Sequence, residues 1–534
     1  MHSPSRRSFL KSIVNGAAST AVLGSTKLFP SPKAASSTPP NVVIFVADDL
    51  GWNDVGYHGS EIETPNIDKL AAEGVELDRF YSFPICSPTR VGLMTGRSPV
   101  RLGLTDLVKS GTPGPALDEP FLPTFLKAAG YQTWMTGKWH LGDYGDYLPN
   151  SRGVDHFYGH LGGEVHYKTH KSGGELDWQR NSVTIEEQGY STYLLRDEAI
   201  QLITSRDDSK PFFLYFPFNA PHTPLVAPND LNEKYNWIED ENRSIFAAMV
   251  DGMDAAIGEI IATLELEGIR DNTLILFFSD NGADSTDGGG SNTPLRGDKG
   301  KIFEGGIRTP ACINWPGLLP AGQACRQVIS VMDIFPTLAA ALELEPNNTK
   351  PFDGANRWPQ IKDADTTVPP DGLVITGPNP DLTSAAFTDD WKLVKTQNQI
   401  QLFNIDQDPT ESTNLSAANP DVVQHLSNQI QQMLQTNTRI DEKSNFPDIF
   451  SIEQNYPNPF NATTQINYSI KSKTQVRLSI FNIRGQEVAR LVDRRHTPGS
   501  YSATFNAGPM SSGVYFYRLQ AGDFVVTKKM LLAR

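Results

Sequence analysis

Four continuous apolar runs in this chain each stop at a polar cluster. In "NVVIFVADDLG" every residue from Val42 to Ala47 is apolar, and the run ends in Asp48 and Asp49. "YQTWMTGKWHLG" ends in Lys138 and His140, "PFFLYFPFNAPHTP" leads to His222, and "NTLILFFSDNG" delivers Asp280 and Asn281 after Leu274 to Phe278. Runs without polar alternation are expected of strands buried on both faces. Between them lie helical patterns such as "TPNIDKLAAEG", with Thr64 as an N-cap, Pro65 at the first helical position and Gly74 just past the end. Strands alternating with helices predict an α/β fold, a large mainly parallel sheet flanked by helices. In such sheets sites form beyond the carboxyl ends of the strands, so the four clusters are expected to share one cleft. Taken singly, each cluster also reads as a helix cap or a solvated side chain.

Further along, the periodicity changes. From about residue 371 come short strands, "WKLVK" and "IQLFNI", then a helix from about Asp421 to Leu434 with Val422, Leu426, Ile430 and Met433 or Leu434 on one face. "INYSI", "QVRLSIFNIRGQEVARLV", "GSYSATFNA" and "GVYFYRLQAGDFVVTKKMLL" alternate apolar and polar residues between Gly and Asn turns, which predicts a small C-terminal β-sandwich. The expected organisation is an N-terminal address and linker over residues 1–38, a main domain over 39–370, a small antiparallel α+β subdomain over 371–440, and the sandwich over 447–534.

The N-terminus carries Ser5, Arg6, Arg7, Ser8, Phe9, Leu10 and Lys11, a twin-arginine pattern, before an uncharged stretch from Ser12 to Thr26. That stretch is too short and too polar to span a bilayer. Export in a folded state is expected, with cleavage before Pro39 and no transmembrane segment. A net charge of −15 over 534 residues argues against a general nucleic-acid binder, which shows a basic footprint. An anionic substrate must therefore be attracted locally.

One of three cysteines stands in "FPICSPTRVGLMTGR". Ser87 and Pro88 read as a helix start with Pro at the first helical position, which puts Cys86 at the positive end of a helix dipole, a place for an anion. A reactive thiol and an inert half-buried one both fit there. The other two, Cys312 and Cys325, flank "INWPGLLPAGQA"; a disulfide and two free buried thiols are both open.

"CSPTR" continuing into "VGLMTGR" resembles the sulfatase family of the alkaline phosphatase superfamily. The resemblance runs over most of residues 39–436 through "ADDLGWNDVGYHGS", "GKWHLG", "APHTP", "FFSDNGA", "LRGDKGKIFEGGIRTP" and "LFNIDQDPTESTNL". It implies a sulfuric ester hydrolase in which a maturation enzyme converts Cys86 to formylglycine (3-oxoalanine). Asp48, Asp49, Asp280 and Asn281, with modified Cys86, would hold one calcium ion; all-oxygen coordination suits a hard cation, magnesium included. Asn281 stands where related phosphatases carry a histidine for a second metal, so one ion is implied. In the implied mechanism the hydrated aldehyde attacks sulfur, and His222 assisted by Lys299 protonates the leaving alcohol. His140 then takes a proton so that sulfate is released, while Arg90 and Lys138 hold residue 86 and neutralise sulfate oxygens.

"HYKTHKSGGELDWQRN" and "YSTYLLRDEAIQLI" look most like the arylsulfatase B-type branch, which implies sulfated amino sugars or galactose-type polysaccharides; the expected substrate is a sulfated polysaccharide, whether algal galactan, ulvan or glycosaminoglycan. His166, His170, Trp178 and Arg180 either line a sugar subsite or pack the loop. "NYPNPFN" and the strands after it resemble the C-terminal sorting domain of type IX secretion, a carbohydrate-binding or adhesive module of the same architecture being the alternative. The implied partners are a sulfated carbohydrate, the formylglycine-generating maturation enzyme and export machinery, at a periplasmic, cell-surface or extracellular location. Two rival functions share these features: a formylglycine-dependent phosphonate or phosphodiester hydrolase, and a noncatalytic surface glycan binder.

Overall fold

The structure is a computed structural model. It describes residues 39–533 apart from 347–349, 365, 370, 371, 389, 436–449, 471, 472, 497, 498 and 523; the twin-arginine segment and its cleavage region lie outside the described residues. A ten-stranded sheet forms the core of the larger part, in the order Gln323–Cys325, Val75–Leu77, Ala311–Asn314, Thr273–Ser279, Asn41–Ala47, Phe212–Pro217, Gln132–Lys138, His156–His160, Gln179–Arg180, Val183–Thr184. The five strands from Thr273–Ser279 to His156–His160 are parallel, and antiparallel pairings lie toward both edges. The four apolar runs are the four central strands.

Asn41–Ala47 is buried along its whole length, and alternate residues feed opposite cores. Val42, Ile44 and Val46 join one core with Val91, Leu93 and Met94 of the helix Cys86–Thr95. Val43, Phe45 and Ala47 join the other with Ile67, Leu195, Ile257 and Ile260 from the helices Pro65–Ala72, Ser191–Thr204 and Glu241–Leu266. A two-sided strand has no polar alternation because neither face meets water.

Parallel register then places the site. Ala47 pairs with Ser279, so the next residues on the two strands, Asp48 and Asp280, emerge side by side. Asp280 N donates to Ala47 O at 3.0 Å, and Asp48 N donates to Ala220 O at 3.0 Å beyond the neighbouring strand.

Two local expectations change. The helix expected to start at Ser87 begins at Cys86, with Ile85 extended before it, so Pro88 is its third residue. The first-turn N–H groups of a helix have no intrahelical partner, so proline costs no bond there. Thr64 does flank the helix Pro65–Ala72, but its hydroxyl donates to Asp68 Oδ1 instead of capping. The cap comes from Asp254, whose carboxylate accepts from Asn66 N and Ile67 N.

Cys312 and Cys325 are free. They flank the strand Val75–Leu77, Cys312 opposite Glu76 and Cys325 opposite Leu77. Cys312 packs into one core and Cys325 into the other, so the sheet itself separates the two thiols and rules out the disulfide alternative.

Val374–Thr376, Ser384–Phe387, Trp391–Thr396 and Gln399–Asn404 form an antiparallel sheet in that order. Its Ile375, Phe387, Val394 and Phe403 extend one main core, and its Val374, Leu393 and Leu402 meet Leu426 and Ile430 of the helix Pro420–Gln435. Beyond it, a three-stranded and a four-stranded antiparallel sheet enclose a separate core of Ile466, Tyr468, Leu478, Ile480, Tyr517 and Leu519. Among the described residues no helix is long and apolar enough to cross a membrane.

Candidate active site

All ten residues expected to be catalytic or metal-ligating gather at the carboxyl ends of the central strands. Asp48 and Asp49 follow the first strand, Lys138 ends the second and His140 follows it, His222 lies beyond the third, and Asp280 and Asn281 follow the fourth. The helix Cys86–Thr95 adds Cys86 and Arg90, both buried, one turn apart on the same face. Asp49 and His140 adopt left-handed backbone angles, φ 69° and 57°. Such angles cost a non-glycine residue about 1–3 kcal/mol and concentrate at sites where a side chain must be re-aimed.

Charge is closely matched here. Lys138 Nζ donates to both oxygens of Asp48, at 2.9 and 2.7 Å. Arg90 donates from Nε and Nη2 to Asp280 Oδ2, at 3.1 and 2.7 Å, and from Nη1 to Lys138 O at 2.9 Å. Lys299 Nζ donates to Asp49 Oδ2 at 2.6 Å and lies 3.1 Å from His222 Nε2. Burial would raise Asp48, but Lys138, His222, Arg90 and Lys299 outweigh it and hold its carboxyl well below the usual range. Burial and the neighbouring Asp48 push Asp280 up to about 6 in spite of Arg90. Burial would lower Lys299, but its acidic neighbours, Asp49 foremost, together outweigh it and hold the ammonium above the usual lysine range.

Cys86 Sγ lies 3.3 Å from His140 Nδ1. Burial, with Asp280 and Asp48 beside it, pushes the thiol up in spite of Lys138, so residue 86 is not an activated thiolate as it stands. Burial, Lys138 and Arg90 hold His140 well below the usual histidine range, which leaves its imidazole neutral near neutral pH.

The donor set fits one hard cation. Ligand atoms of Asp48, Cys86 and Asp280 lie within 4.8 Å of one another, and those of Asp48, Asp49 and His222 do likewise. Asn281 Nδ2 donates to Asp49 Oδ1 at 2.7 Å and to Gly282 O at 2.9 Å. Its Oδ1 is buried and has no hydrogen-bond partner among the described residues. A buried amide oxygen beside carboxylates is a ligand of the type calcium takes.

The loop residues divide. His170 and Trp178 are buried and stack on each other at 4.4 Å, and Arg180 pairs with Glu198 and lies over Tyr158, so these three pack the loop. His166 lines a cavity next to Thr223. Several supporting residues escaped the sequence reading. Tyr167 Oη lies 2.6 Å from Asn219 O and 2.8 Å from His222 O and tethers the His222 segment. Asp177 accepts from Leu161 N at 3.0 Å and Gly162 N at 2.7 Å, tying down the turn beside His140. The only signal for that turn was the glycine pair in "HLGGE".

Buried cations paired with carboxylates at the ends of parallel strands suit a hydrolase of anionic esters. The chain belongs to the sulfatase family, whose model matches residues 40–344, and it is a sulfuric ester hydrolase. It is 34% identical to arylsulfatase J of Mus musculus over 465 residues, 76% of this chain and 78% of that one. It is 35% identical to N-acetylgalactosamine-6-sulfatase of Homo sapiens over 352 residues, 60% of this chain and 66% of that one. The crystal structure of Ps i-CgsB in complex with k-i-k-neocarrahexaose shares 32% identity and a TM-score of 0.70, covering 75% of this chain and 94% of that one. Residues 454–533 match the secretion system C-terminal sorting domain, which marks the protein for export by type IX secretion.

Proposed function

We propose that this exported sulfatase removes sulfate from a sulfated polysaccharide of galactose or amino-sugar type. Its reacting group is 3-oxoalanine formed from Cys86 by a maturation enzyme, and Asp48, Asp49, Asp280, Asn281 and the modified residue 86 hold one calcium ion. The observation that carries this reading is the placement of Cys86 Sγ among the carboxylates of Asp48 and Asp280 and 3.3 Å from His140 Nδ1. Relatives that act on N-acetylgalactosamine 6-sulfate by name, or were crystallised with a neocarrahexaose, favour a saccharide substrate, as does export.

When bound, calcium supplies a fixed double charge that acidifies a hydroxyl on residue 86 and offsets the charge of sulfate. A hydrated 3-oxoalanine offers two hydroxyls on one carbon, one to bond sulfur and one to release it. The chain's own groups do the rest. Lys138 and Arg90, anchored on Asp48 and Asp280, present positive charge where sulfate oxygens gather, and the local field overcomes the acidic whole. Neutral His140 takes a proton at residue 86. His222 Nε2 and Lys299 Nζ, side by side, give a proton to the leaving sugar oxygen. The chain divides into a catalytic domain over 39–370, a subdomain over 371–440 that buttresses it, and the sorting sandwich over 447–534, with a twin-arginine address over 1–38.

The test is mass spectrometry of the tryptic peptide containing Cys86, from protein made with a formylglycine-generating enzyme, alongside sulfate release from a panel of sulfated polysaccharides. A lighter, aldehyde-bearing residue with release from a galactan or glycosaminoglycan is the expected result. An intact thiol in a fully active preparation, or turnover by Cys86→Ala, would overturn the assignment of the reacting group.

A further inference from the structure

A cavity of about 260 Å³ opens beside His222, lined by Glu164, His166, Lys171, Ser172, Gly173, Thr223 and Pro224. One wall follows directly in sequence from the proton-donating histidine. The opposite wall is a hairpin, Lys171–Ser172 paired with Glu175–Leu176 through Gly173 and Gly174, both at positive φ. The hairpin has a rigid base: His166 N donates to Lys171 O at 3.0 Å, Asp177 N donates to His170 O at 2.9 Å, and the buried His170 ring is stacked on Trp178.

The chemistry of this wall is donor-rich. His166 Nδ1 accepts from Lys168 N and Thr169 N, both at 3.2 Å, which places the proton of the neutral ring on Nε2. The Lys171 ammonium is exposed and makes no hydrogen bond or ion pair with another described residue. The hydroxyls of Ser172 and Thr223 complete the set, and Glu164 is the one acceptor-only side chain. Ammonium, imidazole N–H and hydroxyl suit clustered anionic oxygens, and a carboxylate opposite suits a sugar hydroxyl. The volume lies just under the roughly 300–1,000 Å³ of a drug-sized pocket, enough for one sugar residue and its substituent.

The geometry points to a subsite, on the leaving-group side of His222, for a sugar that carries a second anionic group besides the ester being cleaved, with Lys171 as the specificity-determining residue. The inference rests on the sulfatase reading and narrows its substrate to polyanionic saccharides. A second sulfate and a uronate carboxylate share the required chemistry.

The experiment uses the full-length mature protein and three galactose-type disaccharides with the same scissile sulfate: one bears a second sulfate, one a carboxylate, one neither. For wild type, kcat/KM is expected to be at least about tenfold higher for the doubly anionic sugars, the worth of one charge-assisted hydrogen bond. The sugar with the larger advantage identifies the anion. Lys171→Ala should erase that ratio and Lys171→Glu should invert it, whereas Lys168→Ala, whose ammonium is bonded to Asn229 outside this wall, should keep it. An unchanged ratio in both Lys171 variants overturns the subsite. Equilibrium binding of the same sugars to Cys86→Ser gives the same comparison without turnover, so absence of sulfatase activity would count against the proposed function and leave this discrimination measurable.

Discussion

Lys299 Nζ lies 3.1 Å from His222 Nε2. On its other side the imidazole places Nδ1 2.6 Å from Thr223 O, and a carbonyl only accepts, so Nδ1 carries the ring proton and Nε2 accepts from the ammonium. The proton offered to a leaving oxygen therefore belongs to the pair. His222→Ala and Lys299→Ala should each lower kcat/KM on sugar sulfates by about 10²–10⁴, and far less on activated aryl sulfates. The double variant should be little worse than the poorer single one. Steady-state kinetics on both substrate types checks this; equal losses on both would remove the pair from proton donation.

Gly163 sits against His140. A Cβ at 163 would lie 2.7 Å from His140 Cε1 and 2.8 Å from Nε2, and no left-handed angle at 163 adds strain of its own. Gly163→Ala should therefore push the ring away from residue 86, lowering kcat by about tenfold or more while the melting temperature barely moves. A variant with unchanged kcat would show that the ring has freedom to relocate.

Calcium should stabilise the folded chain through Asp48, Asp49, Asp280 and Asn281. At a hundred times its Kd an ion bound only by the native state adds about 2.7 kcal/mol, a readable rise in thermal midpoint. Asn281→Leu, which removes the buried oxygen that has no hydrogen-bond partner among the described residues, should weaken that rise, and Asp280→Asn should nearly abolish it. Calorimetry with and without calcium, after chelation, is the measurement, and identical midpoints would refute this ligand set.

Lys392 is fully buried in the antiparallel sheet, donates a hydrogen bond to Glu304 Oε1 at 2.9 Å and forms an ion pair with Glu411 Oε1 at 2.9 Å. Glu304 N in turn donates to Glu411 Oε2 at 2.7 Å, close after the turn that carries Lys299. Lys392→Met leaves two buried carboxylates facing each other, and breaking such a cluster costs about 3–5 kcal/mol. Denaturant unfolding should show that loss. A change under about 1 kcal/mol would mean that the smaller sheet is not fastened through this cluster.

Removing residues 447–534 should leave sulfate release intact, because the sandwich core is built from its own strands. The truncated protein should stay inside the cell envelope instead of reaching the surface or medium. Fractionation and activity assays decide; unchanged delivery would mean the module is no sorting signal.

Much was legible in the chain itself. Asn41–Ala47 and Thr273–Ser279 are uniformly apolar because both faces of each strand are covered, and Asp48 and Asp280 stand out because polarity begins where cover ends. The alternating burial of Thr463–Ile470 is equally visible, because one face of a sandwich strand meets water. Cys86 and Arg90 are local in sequence, so one helical turn brings them together. Lys171, Asp177, Gly163 and Lys392 carried no such mark. Each acts through a partner distant in the chain or across a turn, and its residue type is ordinary in a loop or strand.

The strands, their polar ends and the charge-bearing residues can be read from the chain, since local periodicity and composition decide which segments are buried. The register that sets Ala47 beside Ser279, the separation of Cys312 from Cys325 by the sheet, the neutral His140 and the cavity beside His222 were decided by tertiary structure alone. Register, separation, desolvation and shape are relations between segments far apart in the chain, and only the packed fold brings those segments into contact.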